Sequence, residues 1–169
     1  LKIDDASLSI LFAVAQEESA TKSENIKFGI HQRMREGKAL LNHTRFLGYT
    51  KNAEGQLVIV PEEAEIVRKI FSLYLEGNGV RKIKRYLEEH GIRTVTGKAE
   101  WSTSTIDRML SNEKYMGTLL LQKTYTPDFL TGKQKKNRGE LSMYMVENAH
   151  EAIVEKKVFE AVQKKKHKK

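Results

Sequence analysis

The feature that most constrains the fold is a long opening segment without helix breakers. Between Asp4 and about Lys38 there is no proline, and the first glycine is Gly29. The front half of this segment carries apolar residues at helical spacing, namely Leu8, Leu11, Phe12 and Ala15. The pattern predicts one helix of about thirty residues, which would extend about 45–50 Å and end at Gly37.

The two halves of this predicted helix differ in character. The apolar stripe is dense up to Ala15, thins through residues 16–23 and resumes at Ile26, Ile30 and Met34. We expect the front half to pack against a partner, either a missing domain or, through self-association, a second subunit. The back half carries basic residues that suit phosphates. The alternative is an ordinary amphipathic helix with a solvated charged face.

Composition narrows the classes of partner and site. Thirty Lys and Arg against 22 Asp and Glu give a formal net charge of +8, which favours polyanionic partners such as nucleic acid or an acidic membrane surface. The absence of cysteine excludes disulfides, thiol nucleophiles and thiolate zinc sites. The five histidines lie far apart in sequence, so we predict no metal or other cofactor in this chain. No apolar run approaches the roughly 20 residues of a membrane span, so we expect a cytoplasmic protein without membrane contact.

A hairpin and a helix are predicted next. In "RFLGYTKNAEGQLVIV" two apolar runs flank the turn residues 51–55, a pattern typical of a β-hairpin. A helix begins at Pro61, because a helix accepts proline at its first position. The predicted buried stripe of this helix is Val67, Ile70, Phe71 and Tyr74.

Two further short helices follow, separated by the loop "IRTVTGKAEW". The first runs from Val80 to His90. Its predicted inward residues are Val80, Ile83 and Leu87, and its outward basic residues are Arg81, Lys82, Lys84 and Arg85. The second begins with Ser102 or Thr103 as its cap. Its inward residues are Ile106, Met109 and Leu110, and its outward residues are Ser104, Thr105, Asp107, Arg108 and Ser111.

Small polar residues and an arginine on the third short helix are what a helix-turn-helix reader of DNA needs. The major groove admits one helix, and its base edges are read through hydrogen bonds. The ten-residue loop is a departure, since the usual turn has three or four residues. A small helical bundle without DNA binding shares the pattern, and these residues alone leave both interpretations open.

In the last third of the chain the sequence predicts a strand over residues 118–125, the basic loop "TGKQKKNRGE" and a second strand over 142–147 that pairs with the first. A closing helix over 155–169 is predicted to face inward with Val158, Phe159 and Val162. The loop is a candidate clamp that orders on phosphates, or else a solvated charged loop. We therefore predict an α+β fold that is predominantly helical, with a long first helix and short antiparallel hairpins. No nucleophile lies in a catalytic arrangement, so we predict no enzyme activity for this chain.

Two long stretches also carry a family resemblance. The run "LSILFAVAQEESATKSENIKFGIHQRMREGK" resembles the dimerisation helix that ends the catalytic domain of large serine recombinases, the transposases and integrases of mobile elements. The stretch from "RFLGYTKNAEG" to "LLLQKTY" is similar to their recombinase DNA-binding domain. Within the family, "LLQKTYTPDFLTGK" and "YMVENAHEAIV" resemble the recombinases of conjugative transposons.

The resemblance implies a division of the chain. Residues 1–38 would be the dimerisation helix, 39–49 a linker, and 50–169 the DNA-binding domain, in which residues from about 115 could form a subdomain. The linker would cross the minor groove with Lys38 and Arg45 as basic contacts. Many relatives have a proline–glycine pair before the linker's tyrosine, whereas this chain reads "RFLGY".

The resemblance also implies a function for the bacterial parent protein. That enzyme would cut two DNA sites with a serine nucleophile, form phosphoserine links, rotate subunits within a tetramer and rejoin the strands, so that a mobile element is integrated or excised. Because the chain starts with Leu1 rather than methionine, we expect a piece of a longer protein. The nucleophile domain and a zinc ribbon would lie outside it, and zinc would belong to that ribbon alone.

The predicted partner is therefore double-stranded DNA at the attachment sites of a mobile element, bound without cleavage. The predicted DNA contacts, drawn from the basic surface and the third short helix, are Lys38, Arg45, Arg81, Lys84, Arg85, Lys98, Trp101, Ser102, Thr103, Ser104, Thr105, Arg108, Lys114, Lys123, Lys133, Lys135, Lys136 and Arg138. The alternatives are a helix-turn-helix transcriptional regulator with a dimer helix and a chain that itself cleaves DNA.

Overall fold

The computed structural model describes residues 5–36, 42–128 and 130–168, and it confirms the predicted α+β class. The elements in this part of the chain are α1 Asp5–Arg35, β1 Tyr49–Lys51, β2 Leu57–Ile59, α2 Pro61–Leu75, α3 Val80–Glu89, α4 Thr103–Leu110, a 3-10 turn Glu113–Met116, β3 Leu119–Leu121, β4 Thr124–Tyr125, β5 Lys135–Lys136, β6 Tyr144–Val146 and α5 Lys156–His167. Gly37 was predicted to end the first helix and Lys38 to contact DNA. Both residues lie outside the described part of the chain.

The chain divides into two compact units. The first unit comprises Leu1–Ala39 and Leu121–Tyr144, and the second unit comprises Leu40–Leu120 and Met145–Lys169. The first unit therefore contains α1 and the basic segment after β4. The second unit contains the hairpin and the four shorter α-helices.

The predicted hairpin of the second unit is confirmed. β1 and β2 pair antiparallel with Tyr49 opposite Ile59. The turn between them is closed by Asn52, whose Oδ1 accepts the backbone N–H groups of Glu54 and Gln56 at 3.1 and 2.9 Å. An asparagine that bonds to its own following backbone is a common way to initiate a turn.

The inward faces of α2, α3, α4 and α5 form one core in the second unit. The predicted inward residues that are buried there are Val67, Ile70, Phe71, Tyr74, Ile83, Leu87, Ile106, Met109, Leu110, Phe159 and Val162. Val80 and Val158, also predicted to face inward, are partly buried and pack against this core. Full burial of each large apolar side chain contributes about 1.5–3 kcal/mol, so this core fixes how the four helices pack.

Two buried tyrosines tie the hairpin entrance to later segments. The Tyr115 hydroxyl donates to the carbonyl of Leu47 at 2.9 Å. The Tyr49 hydroxyl donates to the carbonyl of Glu151 at 2.6 Å and accepts from the N–H of Ile153 at 3.2 Å. Burial raises the pKa of both tyrosines above its ordinary value, so both hydroxyls stay protonated and keep donating.

Gly48 fixes the backbone path into the hairpin. Its φ is +97°, and a Cβ added there would lie 2.6 Å from Cδ1 of Ile153. Its N–H donates to Oε2 of Glu63 at 2.7 Å. A side chain is therefore excluded both by backbone conformation and by space.

The prediction of one continuous strand over residues 118–125 is wrong. β3 and β4 are separated by Gln122, whose φ of +63° is a left-handed conformation that interrupts a strand. β3 pairs with β6, as predicted. β4 pairs instead with β5, with Thr124 opposite Lys136. The segment predicted as an irregular basic loop thus contains a strand.

The front half of α1 presents its apolar residues to solvent. Leu8, Leu11 and Phe12 are 47%, 58% and 72% exposed, and Ala15 is exposed as well. Self-association through this face stays a prediction. Within the described ranges, no helix combines the length and apolar character required to cross a membrane.

Candidate nucleic-acid interface

A groove on the second unit brings together many of the residues predicted to contact DNA. It has a volume of about 800 Å³ and is formed by α4, by the loop between α3 and α4, and by the chain entering the hairpin. The predicted contacts that line it are Arg45, Lys84, Lys98, Trp101, Ser102, Thr103, Thr105 and Arg108. Residues from three separate stretches of sequence therefore share one surface.

The polar face of α4 is turned outward, as predicted. The buried residues of α4 are Ile106, Met109 and Leu110, and its exposed residues are Thr103, Ser104, Thr105, Asp107 and Arg108. Ser102 occupies the N-cap position, but its Oγ bonds to Oγ of Ser104 at 2.7 Å rather than to a backbone N–H. No side chain at the N-cap position covers the first backbone N–H groups of α4, which are the kind of donors that bind phosphate.

Trp101, predicted to contact DNA, is a core residue, and that prediction is corrected. Its side chain is 2% exposed, and its indole N–H donates to the carbonyl of Ile92 at 2.7 Å. Its backbone N–H donates to Oε1 of Glu88 at 2.8 Å. Burial of a large aromatic ring with its N–H satisfied is more favourable than exposure. Trp101 thus fixes the end of the loop to α3 and positions the start of α4.

The loop before α4 is an ordered turn, which the sequence predicted only as a connection of about ten residues. The N–H of Thr94 donates to the carbonyl of Lys98 at 2.9 Å, and the N–H of Gly97 donates to the carbonyl of Thr94 at 2.8 Å. The guanidinium of Arg93 donates to the carbonyl of Gly97 at 2.9 Å. The sequence signal for this turn was a hydroxyl residue followed three positions later by glycine, and Gly97 has a φ of +80°.

Arg45 lies where the chain enters the core. The side chain of Arg45 is exposed, whereas the next two residues, Phe46 and Leu47, are 8% and 6% exposed. The Phe46 ring packs 5.2 Å from the ring of Tyr115. Because its neighbours are fixed, Arg45 is held at the edge of the groove.

The groove is predominantly positive. Arg45, Lys98 and Arg108 form no ion pair with any residue in the described part of the chain. Lys84 lies 3.3 Å from Oε1 of Glu100, so its charge is partly compensated. Three cations in one groove without an internal counter-charge favour an anionic ligand.

The single acidic residue of α4 is neutralised from α5. Nζ of Lys166 donates to Oδ1 of Asp107 at 2.6 Å and to Oγ of Ser111 at 2.6 Å. This pairing offsets a carboxylate that would repel phosphate. Nζ of Lys165 donates to the carbonyl of Leu75 at the end of α2, at 2.8 Å. Part of the basic tail therefore has a structural role.

The other predicted contacts lie outside this groove or outside its unit. Arg81 and Arg85 are exposed on α3, Ser104 is exposed on α4, and Lys114 is partly buried in the 3-10 turn. The predicted contacts that belong to the first unit, all exposed, are Lys123, Lys133, Lys135, Lys136 and Arg138.

A buried asparagine orders the basic segment of the first unit. The side-chain N–H₂ of Asn137 donates to the carbonyls of Gln122 and Leu141 at 2.9 and 2.7 Å. Its Oδ1 accepts the N–H groups of Gly139 and Leu141 at 3.0 and 3.2 Å. The expectation that this segment requires phosphates in order to fold is corrected, because its own hydrogen bonds hold it. The overlooked signal was an asparagine two residues before a glycine.

No cluster of histidine and carboxylate side chains in the described residues has a geometry that could hold a metal ion.

Titration is perturbed at one histidine of the second unit. Nε2 of His150 lies 2.6 Å from the carbonyl of Lys114, and burial lowers the pKa of the imidazole. His150 is therefore a packing residue and not part of the groove.

Comparison with known sequences identifies related proteins. The sequence model of the family described as Recombinase matches residues 61–169, which is more than half of the chain. A protein of Bacillus subtilis (strain 168) named "Putative DNA recombinase" is 27% identical over 133 residues, covering 75% of this chain and 26% of that protein. The chain thus spans about a quarter of the length of this relative.

Two solved structures have a similar fold. A chain in the crystal structure of an LSR–DNA complex aligns with a TM-score of 0.58 and 20% identity, covering 83% of this chain and 38% of that one. A chain from a structure concerned with sequence requirements of the Listeria innocua prophage attP site aligns with a TM-score of 0.60 and 19% identity, covering 86% and 52% respectively. At these identities the likeness shows the fold alone.

Proposed function

The chain belongs to the recombinase family, and from this premise we propose that it is the double-stranded DNA-binding segment of a serine-type site-specific recombinase. The observation that carries the proposal is the groove of the second unit. Arg45, Lys98 and Arg108 line it without an ion-pair partner among the described residues, and the hydroxyl groups at the start of α4 lie beside them. This combination suits the phosphates and base edges of a duplex.

In the proposed complex, α3 and α4 act as a helix-turn-helix and α4 enters the major groove. Its outward residues are short and polar, so the helix can approach the bases closely, and Arg108 on its last turn is long enough to reach a guanine or a phosphate. Lys38 and Arg45 would follow the minor groove before the chain enters the core. The exposed basic residues of the first unit would contact the phosphate backbone.

The wider role of the protein belongs to the same proposal. The parent protein would be a bacterial, cytoplasmic enzyme that integrates or excises a mobile element, a conjugative transposon by the resemblance above. Residues 1–38 would be the end of its catalytic domain and would self-associate through the exposed apolar face of α1. Residues 50–169 would be the DNA-binding domain, and the zinc ribbon would follow it. That the crystal structure with a similar fold is an LSR–DNA complex supports the DNA-binding part.

The test is a gel-shift titration of this chain. Because the DNA site is unknown, a duplex would first be enriched from a random library by binding to the protein. Its affinity would then be compared with that of a scrambled duplex at two salt concentrations. We expect a preference of roughly a thousand-fold, the lower edge of typical specific binding, and no nicking of a supercoiled plasmid.

Two results would count against the proposal. Equal, salt-sensitive binding to both duplexes would mean that this chain supplies only backbone contacts and that site recognition lies elsewhere in the parent protein. Nicking of the plasmid by the chain alone would mean that it contains a nucleophile that we have not identified.

A further inference from the structure

Val95 is an exposed apolar residue in a groove lined mostly by charged and hydroxyl groups. In the described part of the second unit, the exposed large apolar residues are Val95 at 37% and Met145 at 65%. Val95 lines the groove and Met145 does not. Single exposed apolar residues are common on protein surfaces, so the position of Val95, rather than its exposure, is informative.

The turn holds Val95 in place before any ligand binds. Val95 and Thr96 are the two corner residues of the turn closed by the hydrogen bond from the N–H of Gly97 to the carbonyl of Thr94. Oγ1 of Thr94 accepts the N–H of Lys98 at 3.0 Å and lies 3.2 Å from Oγ1 of Thr96. Thr94 is therefore engaged within the turn. A side chain on such a preorganised turn loses little conformational entropy on binding.

The chemistry of valine restricts what it can recognise on a duplex. Its side chain neither donates nor accepts hydrogen bonds. Among the base edges in the major groove, the apolar group is the C5-methyl of thymine, and the other groups are hydrogen-bond donors and acceptors. A valine placed beside the polar face of α4 therefore suits a base pair that α4 itself does not select.

We propose that Val95 is a specificity-determining residue that packs against the C5-methyl group of a thymine in the bound site. The inference rests on the proposed function, since it places the groove on a DNA duplex. It adds a second reading element, the turn of residues 93–98, to the helix that the sequence had indicated. This turn is also what makes the loop before α4 longer than a usual helix-turn-helix connection.

The test removes the methyl group from the DNA and the valine from the protein in turn. A duplex enriched from a random library by the full chain is remade with deoxyuridine in place of each thymine, one position at a time. Deoxyuridine keeps the base pair and loses only the methyl group. We expect one or two positions at which this change weakens binding about three- to ten-fold, as expected for one buried methyl group. Val95→Ala should weaken binding to the thymine duplex similarly and abolish the effect at that position.

The matched control is Met145→Ala, which removes the second exposed large apolar side chain in the described part of the second unit and should leave the uracil pattern unchanged. Urea unfolding of each variant checks that the fold is retained. Specific binding in which every thymine tolerates uracil, or an identical uracil pattern in wild type and Val95→Ala, would overturn the role of Val95 and leave the proposed function standing. Failure to enrich any duplex over its scrambled version would overturn the proposed function as well.

Discussion

Arg108 is the residue whose substitution most directly tests the groove. It is exposed on the last turn of α4 and makes no ion pair with any residue that the structure describes. Arg108→Ala should therefore leave the free energy of unfolding within about 0.5 kcal/mol. It should cost about 1–3 kcal/mol in binding to the selected duplex, and less on a scrambled one if the guanidinium contacts a base.

The matched control for Arg108 is Lys157→Ala, which removes the same charge from an exposed position on α5 outside the groove. Gel-shift titrations of both variants on both duplexes would separate the effect of removing a charge from the groove from the effect of lowering the net charge. Equal losses for the two variants would show that Arg108 contributes only to the overall positive field.

Trp101 tests how the groove is positioned rather than what it contacts. Trp101→Phe keeps an aromatic ring but removes the N–H that donates to the carbonyl of Ile92. The Trp101 side chain is 2% exposed and its hydrogen bond to Ile92 is partly buried, so losing this bond and part of the ring should cost about 1–3 kcal/mol in urea unfolding. Tyr86→Phe, a hydroxyl deletion at a partly buried position of α3, is the control and should change stability by less than about 0.5 kcal/mol. An unchanged urea midpoint for Trp101→Phe would contradict the anchoring role.

His150 predicts how stability depends on pH. Burial lowers the pKa of its imidazole in the folded chain, so between the folded and unfolded pKa values the unfolded chain binds more protons. The stabilisation is complete above about pH 6.5, the ordinary value, and is lost as the pH falls through the folded pKa. His150→Gln keeps an N–H donor without titrating, and its free energy of unfolding should fall less steeply from pH 7 towards acid. An unchanged pH dependence of the free energy of unfolding in His150→Gln would contradict this assignment.

At the scale of elements, α5 closes the second unit by bonding to the ends of other helices. Lys166 holds the last turn of α4 through Asp107, and its side chain is only 16% exposed. Lys166→Met keeps the aliphatic stem and removes the ammonium, so we expect a loss of about 1 kcal/mol in urea unfolding. Lys164→Met, at an exposed position on the same helix, should have no measurable effect. A similar loss for both would indicate that α5 itself, rather than this bond, had been weakened.

The elements also show where sequence reasoning succeeds and where it stops. The inward residues of α2 and α4 were predictable because apolar side chains at helical spacing must share one face. The turn of residues 93–98 and the hydrogen bonds around Asn137 were not predicted. Both depend on hydrogen bonds between polar residues, and polarity alone suggests side chains exposed to solvent. The prediction that Trp101 contacts DNA was wrong because its neighbours in sequence are polar. Only the packing of α3 against the loop shows that Trp101 is buried.

At the scale of the whole molecule, both units have exposed basic residues, but the surroundings of these residues differ. In the second unit Arg45, Lys98 and Arg108 line a groove beside short polar side chains, which suits base readout as well as phosphates. In the first unit the basic residues are exposed around a strand pair held by Asn137. Such a surface can neutralise phosphates but carries little capacity to distinguish bases.

This difference predicts separate effects on affinity and specificity. Replacing Lys133, Lys135 and Lys136 by glutamine should weaken binding by the same factor on selected and scrambled duplexes. About six neutralised phosphates give a slope of about −5 in log affinity against log salt, and removing three should reduce its magnitude by about 2–3. A triple exchange of Lys157, Lys164 and Lys168 to glutamine alters net charge equally at exposed positions on and just after α5. If both triple variants flatten the slope alike, the basic segment contributes only net charge. If the first instead changes the preference for the selected duplex, the first unit reads bases.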